Sequence, residues 1–229
     1  MAQNERDSET EQKKAKVLIV DDHPIVRQGL AELINHEDDL VVCGQAENAL
    51  EAMKAISILN PDMVIVDISL KETSGIELIK DIKNQFPHLP VLTLSMHDES
   101  LYAERALRAG AKGYIMKAEA TENVVTAIRK VLAGELYASD SITAKMMRKL
   151  IGGDVEVGLS PIDRLSDREL EVFLLIGQGH ATRRIAENLY LSVKTIETYR
   201  AHLKDKLNLA NAAELLQYAI QWVNSQSKS

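Results

Sequence analysis

The sequence predicts a doubly wound α/β domain on a five-stranded parallel sheet, followed by an all-α module of four helices. Three observations carry that expectation. Up to residue 132, five short, nearly all-apolar runs alternate with amphipathic helical patterns, as they do when helices cover both faces of a parallel sheet. Beyond residue 163, four helical patterns follow one another with no room for a strand between them. Between the two regions lies a turn-prone stretch that opens with Gly152-Gly153 and runs to Pro161.

Taken in order, residues 1–14 are polar and charged and are expected to form a disordered tail. The first strand, residues 16–20, ends in Asp21-Asp22. Pro24 then opens a helix whose apolar stripe is Ile25, Val26, Leu30, Leu33 and Ile34. Strands at 40–46, 63–66, 91–95 and 113–116 alternate with helices at 47–59, 75–86, 98–109 and 121–132. A further helix over 141–151, with Ile142, Met146, Met147 and Leu150, stops at Gly152-Gly153. The last four helices are expected at 167–178, 182–189, 193–207 and 212–223. The expected organisation is a tail (1–14), an α/β domain (15–138), a helix and linker (139–163) and a helical module (164–225).

Composition narrows the function classes. A single cysteine, Cys43, excludes an internal disulfide framework and a cysteine-built zinc site, and suits a reducing compartment. There is no secretory apolar region at the start, and no run approaches the roughly 18–20 apolar residues of a membrane helix. A cytoplasmic protein without a membrane partner is the expectation. The net charge of −7 leans against a nucleic-acid binder, but that average conceals an asymmetry. Residues 164–229 hold nine Lys/Arg against seven Asp/Glu, a balance of +2, which leaves 18 − 27 = −9 for residues 1–163. Within 182–206 there are six basic and three acidic side chains.

Chemistry gathers at the strand ends. The first strand ends in Asp21-Asp22, the third in Asp67, the fourth in Ser95 and the fifth in Lys117. In a parallel sheet these termini share the edge where ligands bind. Three carboxylates together raise one another's pKa, a conflict that a hard divalent cation such as Mg²⁺ removes. The set fits a phosphoryl-transfer site in which Asp67 attacks, the cation neutralises charge, and Lys117 and Ser95 hold phosphoryl oxygens.

These residues, read as Val20-Asp21-Asp22-His23-Pro24, Val66-Asp67-Ile68-Ser69-Leu70 with Gly75, Leu94-Ser95 and Gly113-Tyr114-Ile115-Met116-Lys117, resemble the receiver domains of bacterial two-component response regulators. The resemblance spans about residues 15–135 and implies a flavodoxin-like fold. It implies that Asp67 accepts phosphoryl from a sensor histidine kinase, that Asp22 binds Mg²⁺ directly, Asp21 through water, and that the Ser69 carbonyl completes the protein ligands. Ser95 and Tyr114 would be the switch pair, the hydroxyl moving toward the phosphoryl group and the ring turning inward. Two positions depart from the pattern: Lys71 and Ala118 stand where proline is common. Ser69 and His97, two residues beyond Asp67 and Ser95, are placed to steer a hydrolytic water.

In the helical module, Ser192 is the expected N-cap of a helix with Ile196, Leu203 and Leu207 on one face and Tyr199 beside them. Lys194, Glu197, Thr198 and Ala201 lie on the opposite face, flanked by Arg200, Lys204 and Lys206, as suits a recognition helix in a major groove. The preceding helix, 182–189, supplies the first half of a helix-turn-helix. Leu165-Ser166-Asp167-Arg168-Glu169-Leu170-Glu171-Val172, Gly179, Ile185-Ala186, Leu191 through Tyr199 and Lys206-Leu207 resemble LuxR-type DNA-binding domains. Together the two resemblances describe a response regulator of the NarL/FixJ type. They imply backbone contacts to double-stranded DNA from Lys194 and Thr195, and base contacts from Glu197, Thr198 and Ala201. Arg200, Lys204, Thr182 and Arg183 complete the expected DNA set.

Ala181 and Arg184 replace a Ser and a Glu that the family favours, so the helix at 182 lacks a capping box unless Thr182 substitutes; Arg184 is then available to a phosphate. In the last helix, Leu215, Leu216, Ala219 and Val223 are read as exposed apolar positions, shared between core packing and contacts within a homodimer. The expected function is therefore a DNA-binding regulator switched by phosphorylation of Asp67. Two alternatives stay open: a DNA binder with a non-switching receiver, and an aspartyl-phosphate phosphohydrolase. The latter commonly has a second acid where Ser69 stands.

Overall fold

The computed structural model describes residues 14–70, 73–96, 99–151 and 161–226. The expected tail (apart from Lys14), Lys71, His97 and residues 152–160 of the linker lie outside the described residues. The chain divides into two compact units: strands and helices up to Ala138, and the helices from Ser139 onward, with Ser69–Leu78 falling in the second.

In the first, β1 (Ala15–Val20), β2 (Leu40–Ala46), β3 (Met63–Asp67), β4 (Val91–Ser95) and β5 (Gly113–Met116) form one sheet in the order β2-β1-β3-β4-β5, every pair parallel. Between them run α1 (Pro24–Asn35), α2 (Ala49–Leu59), α3 (Gly75–Gln85) and α4 (Glu99–Ala109), with α5 (Ala120–Leu132) after β5. Alternation along each strand sends Val17, Ile19, Met63, Ile65, Leu92, Leu94 and Ile115 to one face. There they pack with Leu30 and Ile34 of α1 and Val124, Ile128 and Val131 of α5. Leu18, Val20, Val64, Val66 and Tyr114 point the other way and are equally buried. A sheet dry on both faces is why its strands read as continuous apolar runs.

Element ends differ from expectation by a residue or two, each for a local reason. Asn48 accepts from the Glu51 N–H and caps α2, so the helix begins at Ala49 rather than residue 47. Asp67 belongs to β3 because it pairs with Leu94. A 3₁₀ turn, Lys117–Glu119, precedes α5.

The second unit holds α6 (Asp140–Ile151), a 3₁₀ turn (Pro161–Arg164), α7 (Asp167–Gly177), α8 (Thr182–Asn188), α9 (Val193–Leu207) and α10 (Ala212–Gln226). Ser166 and Glu169 form a reciprocal capping box at the start of α7. Gly179, at φ 84°, reverses the chain after it. Phe173 on α7 meets the rings of Tyr218 and Trp222 on α10 at centroid distances of 5.9 and 5.8 Å.

At the far end of α9, Lys206 Nζ lies 2.6 Å from Glu169 Oε2, joining α9 to α7. Burial works against ionisation of Glu169, but Lys206 and the Ser166 N–H together hold its carboxyl below the ordinary value. A lowered folded-state pKa stabilises the fold above the unfolded value and is lost as the pH falls through the folded one. Thermal melts of the wild type should therefore fall below pH 4.5. The Glu169→Gln variant should melt lower at pH 7 and lose less between pH 5 and 3; parallel curves for the two proteins would contradict this.

The last helix corrects one expectation. Leu215 and Ala219 are fully buried, so they are core residues and not exposed positions; Val223 is half-buried. The large apolar side chains exposed on this helix are Leu216 and Ile220. Both pairs fit a helical repeat, and only the position of α7 decides which face is covered.

Candidate functional site

Strand register assembles the site. Val20 pairs with Val66, Asp67 with Leu94 and Ser95 with Met116, so Asp21, Asp67, Ser95 and Lys117 reach the same carboxyl edge. The chain leaves β1 for β2 on one side and reaches β3 on the other, making the β1/β3 boundary the switch point of the sheet.

Asp21, Asp67 and Ser95 are buried. Lys117 Nζ lies between two carboxylates, 2.6 Å from Asp21 Oδ2 and 2.7 Å from Asp67 Oδ2. Burial opposes its charge, but Asp67 and then Asp21 hold its pKa above that of an ordinary lysine. Asp22 Oδ1 is buried, and His23 Nδ1 lies 2.7 Å away. Ligand atoms of Asp21, Asp22, His23 and Asp67 lie within 4.8 Å of one another. Three carboxylates against one ammonium leave a formal surplus of two negative charges in the cluster. The donors are predominantly hard oxygens, so the residues fit a small divalent cation such as Mg²⁺.

Tyr114 on β5 is buried, opposite Thr93 of β4. Ser69 is half-buried two residues past Asp67. Two residues at the rim, His23 and Arg27, were given no role by the sequence. The His23 backbone N–H donates to Asp21 Oδ1 at 2.8 Å, and the Arg27 guanidinium donates to the Asp21 carbonyl. Arg27 stands in the first turn of α1, five residues after Asp22, and its contact has no signature in residue spacing.

A cavity of about 750 Å³ opens at the opposite edge of the sheet, among Lys14, Asp62, Lys83, His88, Pro90 and Lys112. Among its lysines, Lys83 donates to the carbonyls of Leu89 and Pro87. It lies at the wrong edge for the acid–lysine chemistry.

In the second unit, α8 and α9 are joined by a tight turn in which Tyr190 takes φ 54° and the Leu191 N–H reaches the Ala186 carbonyl at 2.9 Å. Ser192 caps α9 through the Thr195 N–H, as expected. Ile196, Leu203 and Leu207 are buried, whereas Lys194, Glu197, Thr198 and Ala201 are exposed along the other side. Thr195, Arg200 and Lys204 are half-buried beside that stripe. Thr198 returns its hydroxyl to the Lys194 carbonyl at 3.1 Å. Arg183 and Arg184 are exposed near Glu187, and Thr182 is half-buried. No side chain caps α8, so Thr182 does not substitute for the missing cap; it is already the first helical residue.

A buried acid–lysine cluster at the switch point of this sheet, followed by a helix-turn-helix with an exposed polar stripe, defines a receiver-type regulator. Comparison with known proteins agrees over nearly the whole chain. Residues 17–129 match the family model of the response regulator receiver domain, and residues 163–219 that of the bacterial regulatory proteins of the luxR family. The oxygen regulatory protein NreC of Staphylococcus carnosus is 36% identical over 210 residues, covering 90% of this chain and 97% of NreC. Its counterpart from Staphylococcus epidermidis is 35% identical over 211 residues, with the same coverage. Among solved structures, the Salmonella typhimurium response regulator RcsB has a TM-score of 0.63 at 27% identity, covering 91% of this chain and 98% of that one. An RcsB–DNA complex has a TM-score of 0.60 at 27% identity, covering 90% and 99%. Salmonella enterica RcsB bound to the P1flhDC promoter with the phosphomimetic BeF₃⁻ has a TM-score of 0.59 at 28%, covering 90% and 98%.

This chain belongs to the NarL/FixJ-type two-component response regulators, with a receiver domain and a LuxR-type DNA-binding domain. No described helix is long and apolar enough to cross a membrane.

Proposed function

We propose that this protein is a cytoplasmic transcriptional regulator whose DNA binding is switched by Mg²⁺-dependent phosphorylation of Asp67 from a sensor histidine kinase. The observation that carries the reading is the buried Asp67 carboxylate 2.7 Å from Lys117 Nζ and beside the acid pair. Asp21, Asp22 and Asp67, with the Ser69 carbonyl, would hold Mg²⁺, which supplies neutralisation of phosphoryl charge when bound.

An Asp67 carboxylate oxygen attacks the phosphorus of the kinase phosphohistidine, and the phosphorus–nitrogen bond breaks, returning the electron pair to the imidazole. Lys117 then pairs with a phosphoryl oxygen in place of the carboxylate oxygen it now holds. Ser95 donates its hydroxyl to a second oxygen, and Tyr114 adjusts on β5 beside it. The protein transforms no external substrate; it carries out only its own phosphorylation and dephosphorylation. We assign the receiver to residues 15–138, a helix and linker to 139–163 and the DNA-binding domain to 164–225.

On DNA, Lys194, Thr195, Arg200, Lys204, Thr182 and Arg183 take the backbone, while Glu197, Thr198 and Ala201 face base edges. Charge supports pairing of two copies, because one helical segment at +2 neutralises few phosphates. The solved RcsB–promoter complex with BeF₃⁻ supports the same combination of signal and partner.

The test is DNA footprinting with the full chain, with and without an acyl phosphate and Mg²⁺, over a range of salt. Phosphorylation should tighten binding by about ten-fold or more, and affinity should fall steeply with salt. Equal affinity in both states would overturn the switch.

A further inference from the structure

The edge of the sheet beside the switch tyrosine carries an additional piece of chain. After α5 the backbone turns at Gly134, φ 85°, and residues 135–138 return along β5, which is otherwise an edge strand. Two hydrogen bonds hold it: the Tyr114 N–H donates to the Tyr137 carbonyl at 2.8 Å, and the Tyr137 N–H donates to the Lys112 carbonyl at 3.0 Å. Gly113 and Tyr137 form an isolated parallel bridge. The close approach depends on Gly113, since a Cβ there would lie 2.8 Å from Leu92 Cδ1 on β4, 3.0 Å from the Tyr137 Cβ and 3.1 Å from the Tyr137 carbonyl oxygen.

The Tyr137 side chain fixes the strap from the other end. Its half-buried ring packs against the core shared by α1, α5 and the sheet, with Lys130 Nζ 5.8 Å from the ring centroid. Three residues later the chain enters α6 at Asp140, the first helix of the second unit. The backbone link across this edge thus includes the peptide N–H of Tyr114, whose side chain is buried beside β4.

We propose that residues 135–138 are a releasable edge strap, which passes the state of β5 to the segment leading into the DNA-binding half. This rests on the phosphorylation reading above and assigns it a mechanical output. A strand of one bridge and two bonds is the least cooperative pairing in the sheet, so a shift of the Tyr114 backbone loosens it before anything else on β5. When Ser95 and Tyr114 rearrange around phosphorylated Asp67, the Tyr114 N–H loses its alignment with the Tyr137 carbonyl. Residues 135–138 then peel away and free the start of α6. Before phosphorylation, the strap holds that segment in register with Gly113.

Amide hydrogen exchange on the full-length protein, with and without beryllium trifluoride and Mg²⁺, tests this directly. The Tyr114 and Tyr137 amides should be protected in the untreated protein and exchange at least about ten-fold faster after activation. Unchanged protection in a protein that binds beryllium trifluoride overturns the strap and leaves the phosphorylation reading standing. A second test uses Gly113→Ala, which pushes on the strap, and Tyr137→Ala, which removes its ring anchor and leaves β5 intact. Both should accept label at Asp67 while the phosphorylation-dependent gain in DNA affinity falls below about two-fold, because untreated protein already binds more tightly. Normal labelling with an undiminished gain in Tyr137→Ala overturns the strap. Absence of label in the wild type overturns the underlying reading and the strap with it.

Discussion

Asp67→Ala is expected to abolish labelling by an acyl phosphate and Mg²⁺, to background, without lowering the melting temperature of the receiver. The two halves of that result have one cause. Asp67 is one of three clustered carboxylates, two of which share the Lys117 ammonium, and Asp21, 2.6 Å from Lys117 Nζ, remains its partner when Asp67 is gone. Removing a like charge relieves repulsion at the same time as it removes the nucleophile. An ordinary structural carboxylate would behave oppositely, because deleting the partner of a buried ammonium destabilises by about 3–5 kcal/mol. Phosphoamino-acid labelling with a parallel thermal melt separates the cases. Label retained in a folded Asp67→Ala protein would remove Asp67 from the proposed mechanism.

The second large effect belongs to the other half of the chain. Gly177→Ala should unfold or strongly destabilise the helical unit, because α7 and α10 touch backbone to side chain there. A Cβ at Gly177 would lie 2.6 Å from the Ala219 carbonyl oxygen, 2.9 Å from its carbonyl carbon and 2.5 Å from Val223 Cγ2. Valine could rotate, but the carbonyl of a helix cannot yield without moving α10. Overpacking of this kind costs about 1–3 kcal/mol or more. That is a large fraction of the few kcal/mol that hold a module of roughly 60 residues together. Moving α10 would also open the ring contacts of Phe173 with Tyr218 and Trp222. DNA affinity should fall by at least about ten-fold, equivalent to 1.4 kcal/mol. Asp67 labelling should stay within about two-fold of wild type, since the acid cluster lies wholly outside that packing. A wild-type melt and wild-type DNA binding would show that α10 accommodates the methyl group.

Both cases bear on how far the sequence could be read. The doubly wound class, the strand order of the chemistry and the acid–lysine set were legible because each strand end presents its polar residue directly after an apolar run. Asp21, Asp67, Ser95 and Lys117 needed only the rule that parallel strands share a carboxyl edge. The exposed stripe of Lys194, Glu197, Thr198 and Ala201 was legible for a similar reason, since helical periodicity separates it from Ile196, Leu203 and Leu207. Local chemistry was less visible. His23 and Arg27 act through backbone groups of the β1–α1 loop, which no spacing rule reports.

By itself the sequence determined which residues form strands and helices, which face of each strand is polar at its end, and which residues gather where the strands finish. Those properties follow from short-range periodicity and from the one-way geometry of a parallel sheet. The tertiary structure alone decided which apolar face of α10 is core, with Leu215 and Ala219 inside and Leu216 and Ile220 outside. It also decided that Lys117 bridges Asp21 and Asp67, and that residues 135–138 lie on β5 against Gly113. Each of these depends on how distant segments pack in three dimensions. A helical repeat with two apolar stripes, an ammonium between two acids, or a glycine that admits a neighbouring backbone has no signature within its own few residues. The physical reason is that packing selects among faces that periodicity leaves equivalent.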